Sequence, residues 1–309
     1  MNKRNIWIDT DAGTDDAVAL IMAMKHDHIN IVGISTSGGN VPLDCVVQNV
    51  LYIRDLCHNS SPVYVGAAQP LQRTLGTADF IHGKDGLGDI GLVLQGRIPD
   101  DGEAHIQLLK ALGTYDDLEV VCLGPLTNIA LTEQAEEGSL SKAKTIYVMG
   151  GLVELPGNVT PLAEYNIWAD PEAAQIVLHQ LDNVIMIGWD TTLLSAPMYA
   201  ADIEDIRKIG TPLSAFAMDI QQVRLAWMEE HQEETSILLA DALAMAVVIL
   251  PHSISKQASY SMEVLSGQED ETKRGYIVCE ASDQPTSVTH VSEVDKDLYF
   301  QLIRDSLSS

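Results

Sequence analysis

The chain has 309 residues, with 44 Asp and Glu against 18 Lys and Arg for a formal charge of −26, and 46% of its residues are apolar. That length and apolar content suffice for one large α/β unit with a substantial core, so a single domain over residues 1–309 is expected. No basic stripe is present to neutralise phosphates and no apolar run approaches the ~20 residues that span a bilayer, which argues against nucleic acid and membrane as partners; the start leads straight into a strand without a signal-peptide core, so a cytoplasmic protein is expected.

The first element is a strand over residues 5–9, and a helix starts near Asp15. Between them runs Asp9-Thr10-Asp11-Ala12-Gly13-Thr14-Asp15-Asp16, four carboxylates in eight residues, with Gly13 expected to take a positive φ in the turn. Apolar β-rich runs then alternate with helical-period segments: 29–36, 43–57, 63–65, 105–112, 118–123, 127–134, 145–149, 171–179 and 184–187. Such alternation predicts βαβ units and an open, mostly parallel, Rossmann-like α/β sheet flanked by helices, its strands apolar on both faces. Residues 75–89, rich in Gly, Asp and His, read as a long mobile loop. Helices over 212–230 and 235–250 break the alternation, and residues 260–291 read as antiparallel strands of a small C-terminal α+β appendage, closed by a helix over 295–307. Cys45, Cys57, Cys122 and Cys279 are scattered and form no CxxC pair, so reduced thiols are expected, with neither zinc nor a disulfide framework.

Open α/β sheets bind ligands at the carboxyl ends of their strands, where the acidic cluster lies. Four carboxylates this close repel one another unless something positive sits among them. With oxygen ligands only and no His or Cys nearby, a divalent cation there should be hard, Ca²⁺ or Mg²⁺. The plainer alternative is that Asp15 and Asp16 favour a helix N-terminus while Asp9 and Asp11 are solvated turn residues. Asn40, after the second strand in Ser35-Thr36-Ser37-Gly38-Gly39-Asn40, falls at the same sheet edge and can hydrogen-bond a ligand hydroxyl. In Leu123-Gly124-Pro125-Leu126-Thr127-Asn128 the two breakers free a backbone carbonyl to face that edge, a natural oxygen for calcium. Beyond Met149-Gly150-Gly151, the residues Asn158, Glu164 and Asn166 form a cradle for a polyhydroxylated ligand, or else a capping cluster for the helix near Asp170-Pro171. Asp241 sits inside an apolar helical run with no Lys or Arg within a turn, and a metal would satisfy it.

Taken together these motifs resemble the inosine-uridine preferring nucleoside hydrolase family, whose amino-terminal signature is close to Asp-x-Asp-Pro-Gly-x-Asp-Asp-Ala; Ala12 stands here in place of the Pro. The resemblance continues through Gly39-Asn40, Ile81-His82-Gly83, the stretch from Gly124 to Ala130, Val148-Met149-Gly150-Gly151, Gly157-Asn158, Glu164-Tyr165-Asn166 with Asp170-Pro171-Glu172-Ala173-Ala174, and Asp241, and it weakens beyond about Leu250. It implies Ca²⁺ bound by Asp11, Asp16 and Asp241 with the carbonyl of Leu123, the ion also holding a water and the ribose 2′- and 3′-hydroxyls. By the same resemblance Asp11 is the general base, Asp15 and Asn40 bind the ribose diol, Asn158, Glu164 and Asn166 with Met149 hold the remaining ribose hydroxyls including the 5′-OH, and Asp9 supports the cluster from behind. The implied reaction is hydrolysis of the N-glycosidic bond of ribonucleosides, in a homodimer or homotetramer.

One position departs from the pattern. In well-known branches of the family a His, or in purine-specific members a Trp, precedes the last calcium ligand; here Ala240 does. Activation of the departing base then falls to His82, in a matching motif, or to Arg224, Trp227 or His231. Base contacts would come from the segments around His82 and over 221–234. Ala240 also suits a noncatalytic nucleoside or ribose sensor that keeps the calcium and ribose site. A phosphatase of the Asp-x-Asp-x-Thr kind is disfavoured by Gly13 at the Thr position.

Overall fold

A computed structural model of the chain describes residues 3–231, 236–282 and 288–308. The elements run β1 (Arg4–Thr10), α1 (Thr14–Lys25), β2 (Ile29–Thr36), α2 (Leu43–Leu56), β3 (Val63–Val65), α3 (Asp79–His82), β4 (Asp100–Glu103), α4 (Ala104–Leu112), β5 (Glu119–Cys122), α5 (Thr127–Ala135), β6 (Thr145–Met149), α6 (Tyr165–Ala169), α7 (Pro171–Gln180) and β7 (Val184–Ile187). Then come α8 (Trp189–Ser195), α9 (Ala200–Arg207), α10 (Pro212–Asp219), α11 (Gln222–Glu230), α12 (Ala240–Ile249), β8 (Ile254–Leu265), β9 (Tyr276–Ala281), β10 (Val288–Val294) and α13 (Lys296–Leu307).

The strands form one sheet in the order β4-β3-β2-β1-β5-β6-β7-β10-β8-β9. All pairs from β4 to β10 are parallel, and β8 and β9 add antiparallel beyond. The C-terminal strands thus continue the main sheet, joined to it where β10 runs parallel to β7. Because β1 lies between β2 and β5, the loops after β1, β2, β5 and β6 leave one edge side by side, which places the acidic turn, Asn40, Leu123 and Met149 together.

Both faces of the sheet are covered. On one, α1, α2, α10, α12 and α13 bury a large aliphatic cluster; on the other, α4, α5 and α7 bury a second cluster around Trp7, Val120, Ile146 and Met186. Every residue of α12 is buried, so the helix is apolar on all sides and Asp241 is its only charge.

Several expectations change in detail. The left-handed residue of the acidic turn is Ala12 at φ 44°, while Gly13 sits at φ −77° as the N-cap of α1. Glycine is needed at 13 for space, since a Cβ there would lie 2.6 Å from Nδ2 of Asn40 and 2.8 Å from Nδ1 of His82. The helix expected over 212–230 divides into α10 and α11 around Ile220 and Gln221. The expected start of the next helix at Thr235 lies outside the described residues, and the described helix begins at Ala240 because Ile237 instead pairs with Met198 in an extended bridge. Strand β4, Asp-Asp-Gly-Glu, has no apolar signal because it is an exposed edge strand. The 75–89 stretch carries α3 and is tied by turns in which the carboxylates of Asp85 and Asp89 accept backbone amides.

Candidate active site

Strand β1 delivers Asp9 and Asp11 to the sheet edge. Asp9 is fully buried and accepts hydrogen bonds from Ser35 Oγ and, at 2.8 Å, from Asn128 Nδ2. Burial, partly offset by these donors, raises its pKa to about 7. Asp11 accepts the backbone amide of Asn40 at 2.7 Å through Oδ2, and burial followed by the charge of Asp16 pushes it well above the usual carboxylate range. Its neighbourhood is tight: a Cβ on Gly39 would lie 2.0 Å from Asp11 Oδ2, so only glycine lets the second strand's turn pass so close.

The first turn of α1 supplies Asp15 and Asp16. Asp16 closes the turn by accepting from Thr10 Oγ1 and from the Gly13 amide at 2.8 Å, with Asn40 Nδ2 at 3.4 Å. Burial and then repulsion from Asp15 raise it to about 6. Asp241 reaches the same spot from the first turn of α12 and is 3% exposed; burial and then the charges of Asp15, Asp16 and Asp11 raise it well above the usual range. Carboxylate oxygens of Asp15, Asp16 and Asp241 lie within 4.8 Å of one another. Asp9 Oδ2, Asp11 Oδ1, Asp15 Oδ1 and Asp241 Oδ1 are buried without a hydrogen-bond partner. Oxygens so placed, all acceptors and mutually repelling, fit a hard divalent cation and do not fit the reading of solvated turn acids.

The cluster opens into a cavity of about 760 Å³ lined by Asp15, Asn40, His82, Leu123, Met149, Asn158, Glu164, Asn166 and Asp241. Leu123 lines the cavity, but its carbonyl is not free as expected: Asn166 Nδ2 donates to it at 2.8 Å and to the carbonyl of Met149 at 3.1 Å. Glu164 caps a different helix from the one expected near Asp170-Pro171. It caps α6 by accepting from the amides of Asn166 and Ile167, accepts from Gly151 at 2.9 Å, and lines the cavity; burial outweighs these donors and raises it to about 7. The neighbouring cap, of α7, belongs to Asp170. Asn158 is exposed and its Oδ1 accepts the Tyr165 amide at 2.8 Å.

His82, at the end of α3, is buried against the start of α1. Its Nδ1 accepts the Thr14 amide at 3.1 Å, which requires the neutral ring protonated on Nε2. Burial, more than any charge, lowers its pKa to about 4. Arg224 and Trp227 line the cavity, with Phe80 6.3 Å from Trp227 between ring centres; His231 stacks on Trp227 at 4.1 Å without lining the cavity.

Four lining aromatics were missed in the sequence, Phe80, Tyr165, Trp168 and Trp189, because what places them lies far along the chain. Arg274, two residues before β9, stacks over Trp168 at 3.8 Å and donates to the carbonyls of Trp168 at 2.7 Å and Ala169 at 3.3 Å. Behind Trp189, the buried carboxylate of Asp190 accepts from His290 Nε2 at 3.1 Å and from the amides of Val153 and Glu154, which fixes the start of the loop carrying Asn158. Four free cysteines stand as expected, and no described helix is long and apolar enough to cross a membrane.

The sequence profile described as "Inosine-uridine preferring nucleoside hydrolase" matches residues 6–301. Among curated proteins, the chain is 38% identical over 231 residues, 74% of its length and 73% of the relative's, to the pyrimidine-specific ribonucleoside hydrolase RihA of Salmonella schwarzengrund. It is 32% identical over 312 residues, 99% of its length and 97% of the relative's, to the pyrimidine-specific ribonucleoside hydrolase RihB of Escherichia coli. Among solved structures, the plant nucleoside hydrolase PpNRh1 superposes with a TM-score of 0.91 at 26% identity, covering 99% of both chains. A purine-preferring ribonucleoside hydrolase from Gardnerella vaginalis superposes with a TM-score of 0.89, also at 26% identity and 99% of both chains.

Proposed function

The chain belongs to the inosine-uridine preferring nucleoside hydrolase family, enzymes that hydrolyse the N-glycosidic bond of ribonucleosides, and from that premise we propose that its acidic cluster holds calcium and that Asp11 is the general base. The observation that supports this reading is the approach of carboxylate oxygens of Asp15, Asp16 and Asp241 within 4.8 Å, with Oδ1 of Asp11 also buried and unpartnered, at a cavity lined by Asp15, Asp241, Asn40, Asn166 and Glu164.

The carboxylates of Asp11, Asp16 and Asp241 with the carbonyl of Leu123 would hold the ion. Calcium bound there supplies polarisation of the attacking water and of the ribose diol. Asp11, held by the Asn40 amide, takes the proton that the water gives up as its oxygen attacks C1′. Asp15 accepts from, and Asn40 donates to, the 2′- and 3′-hydroxyls. Glu164, Asn166 and Asn158, beside Met149, bind the remaining hydroxyls including the 5′-OH, and Asp9 braces the cluster through Ser35 and Asn128. Bond breaking places positive charge on the ribose, so carboxylates preorganised around it favour the transition state over the neutral substrate. A 5′-phosphate would meet Glu164, which favours nucleosides over nucleotides. His82 offers its Nε2 proton to the bound substrate as a neutral hydrogen-bond donor.

The names of the two curated relatives support pyrimidine ribonucleosides as the first substrates to try. A noncatalytic sensor is set aside because the relatives that match nearly the whole chain are named as hydrolases. The test is uracil release from uridine by Asp11→Ala: loss of turnover with calcium affinity measured separately by titration calorimetry supports the assignment, and normal release by this variant overturns it.

A further inference from the structure

Cleavage of an N-glycosidic bond separates charge: the ribose carbon becomes positive while the base nitrogen keeps the bonding electron pair. The carboxylates of the cavity serve the first half of that separation and repel the second. The rest of the lining includes Phe80, Arg224, Trp227, Met228, Leu238 and Ala240. Among the described residues that line the cavity, Arg224 is the one with a permanent positive charge.

Its position is built by the fold. Arg224 lies on α11, and its Nη1 donates at 2.9 Å to the carbonyl of Leu238, in the segment that leads into α12 and to Asp241. This bond ties the guanidinium to the chain that delivers Asp241, with only the methyl group of Ala240 between Leu239 and the acid. Its charge is felt at His82 on α3, the helix that packs against α11. The rings of Phe80 and Trp227, tilted at 55° to each other, line the same cavity as Arg224, Phe80 exposed and Trp227 half-buried, and offer apolar faces against which a planar base can lie. His82 cannot supply this charge, because its Nδ1 accepts the Thr14 amide and the ring is therefore neutral.

We propose that Arg224 is the group that stabilises the departing nucleobase. The C1′–N bond breaks with its electron pair leaving on the base; the planar guanidinium pairs with the resulting delocalised anion; water adds its oxygen to C1′ and gives a proton to Asp11; and the base takes a proton from solvent as it leaves. One water is consumed for each ribose and free base formed. This assignment rests on the nucleoside hydrolase reading and deepens it, making bases that leave as delocalised oxo-anions, such as uracil, the favoured class.

The test compares two ribosides in the calcium-supplied enzyme: uridine, whose base leaves poorly, and p-nitrophenyl β-D-ribofuranoside, whose phenolate needs no assistance. Arg224→Gln is expected to lower kcat on uridine by roughly 10²–10³-fold, the cost of removing one donor to a developing anion, while leaving the nitrophenyl riboside nearly unchanged. Arg224→Lys, which keeps the charge, recovers part of the uridine rate and is read in the same way should Arg224→Gln lower the melting temperature. Equal loss on both substrates, or an unchanged uridine rate, overturns the role of Arg224. Wild-type protein that cleaves neither riboside overturns the hydrolase reading itself, which separates the two failures.

Discussion

Replacing Gly39 by alanine places a methyl carbon 2.0 Å from Oδ2 of Asp11 and 2.5 Å from its Cβ, where ordinary contact begins near 3.4 Å. The acid cannot step aside cheaply. It is fully buried, its Oδ2 accepts the Asn40 amide at 2.7 Å, and a Cβ on Gly124 would already touch its Cβ at 3.0 Å from another side. Either the end of β1 or the turn leading to Asn40 therefore moves by more than an ångström. Overpacking of this kind costs about 1–3 kcal/mol of stability, and a displacement of about 1 Å in a reacting group costs about 10²-fold in rate. The assay is kcat and KM for uracil release from uridine alongside the melting temperature, with Gly124→Ala as the milder comparison at 3.0 Å. Gly39→Ala should remain folded with a kcat lowered about 10²-fold or more, and Gly124→Ala should lose less. A folded Gly39→Ala enzyme turning over uridine within a few-fold of wild type would refute the claim that the seat of Asp11 governs the chemistry.

The calcium proposal predicts a higher melting temperature with added calcium, since an ion at about 100 times its Kd contributes about 2.7 kcal/mol; Asp241→Asn should blunt that rise in differential scanning fluorimetry. Arg274→Ala removes the stack on Trp168 and the caps on α6, so KM for uridine should rise more than kcat falls, with Arg274→Lys restoring only part because a single ammonium cannot stack or fork. Burial pushes Asp190 up, but the hydrogen bond and charge of His290 and the amides of Val153 and Glu154 hold it below the usual carboxylate value. Its stabilisation is therefore complete above the unfolded pKa of about 3.9 and is lost as pH falls through its lower folded value. Urea midpoints of Asp190→Asn should accordingly fall less steeply than those of wild type below about pH 4, and parallel curves would contradict the pairing.

The acidic turn was legible because four carboxylates at a strand end have no cheap structural use, and Asp241 because a lone charge in an apolar helix needs a partner. The parallel sheet followed from alternating apolar runs that bury both faces. What stayed hidden depends on contacts distant in sequence. The role of Gly13 is set by Asn40 and His82, so the sequence suggested a left-handed glycine where the left-handed residue is Ala12. Trp168 enters the cavity under a guanidinium 106 residues away, and Asp190 is paired with a histidine 100 residues on. The tautomer of His82 is fixed by an amide 68 residues earlier, which turns an expected acid into a neutral donor.

The most direct measurement is release of free base, followed by chromatography, from uridine, cytidine, inosine, adenosine and guanosine by the purified protein, with and without a calcium chelator and after calcium is restored. The account predicts base release that the chelator abolishes and calcium returns. Release indifferent to the chelator would contradict the metal assignment, and no release from any nucleoside in the presence of calcium would contradict the proposed catalytic site as a whole.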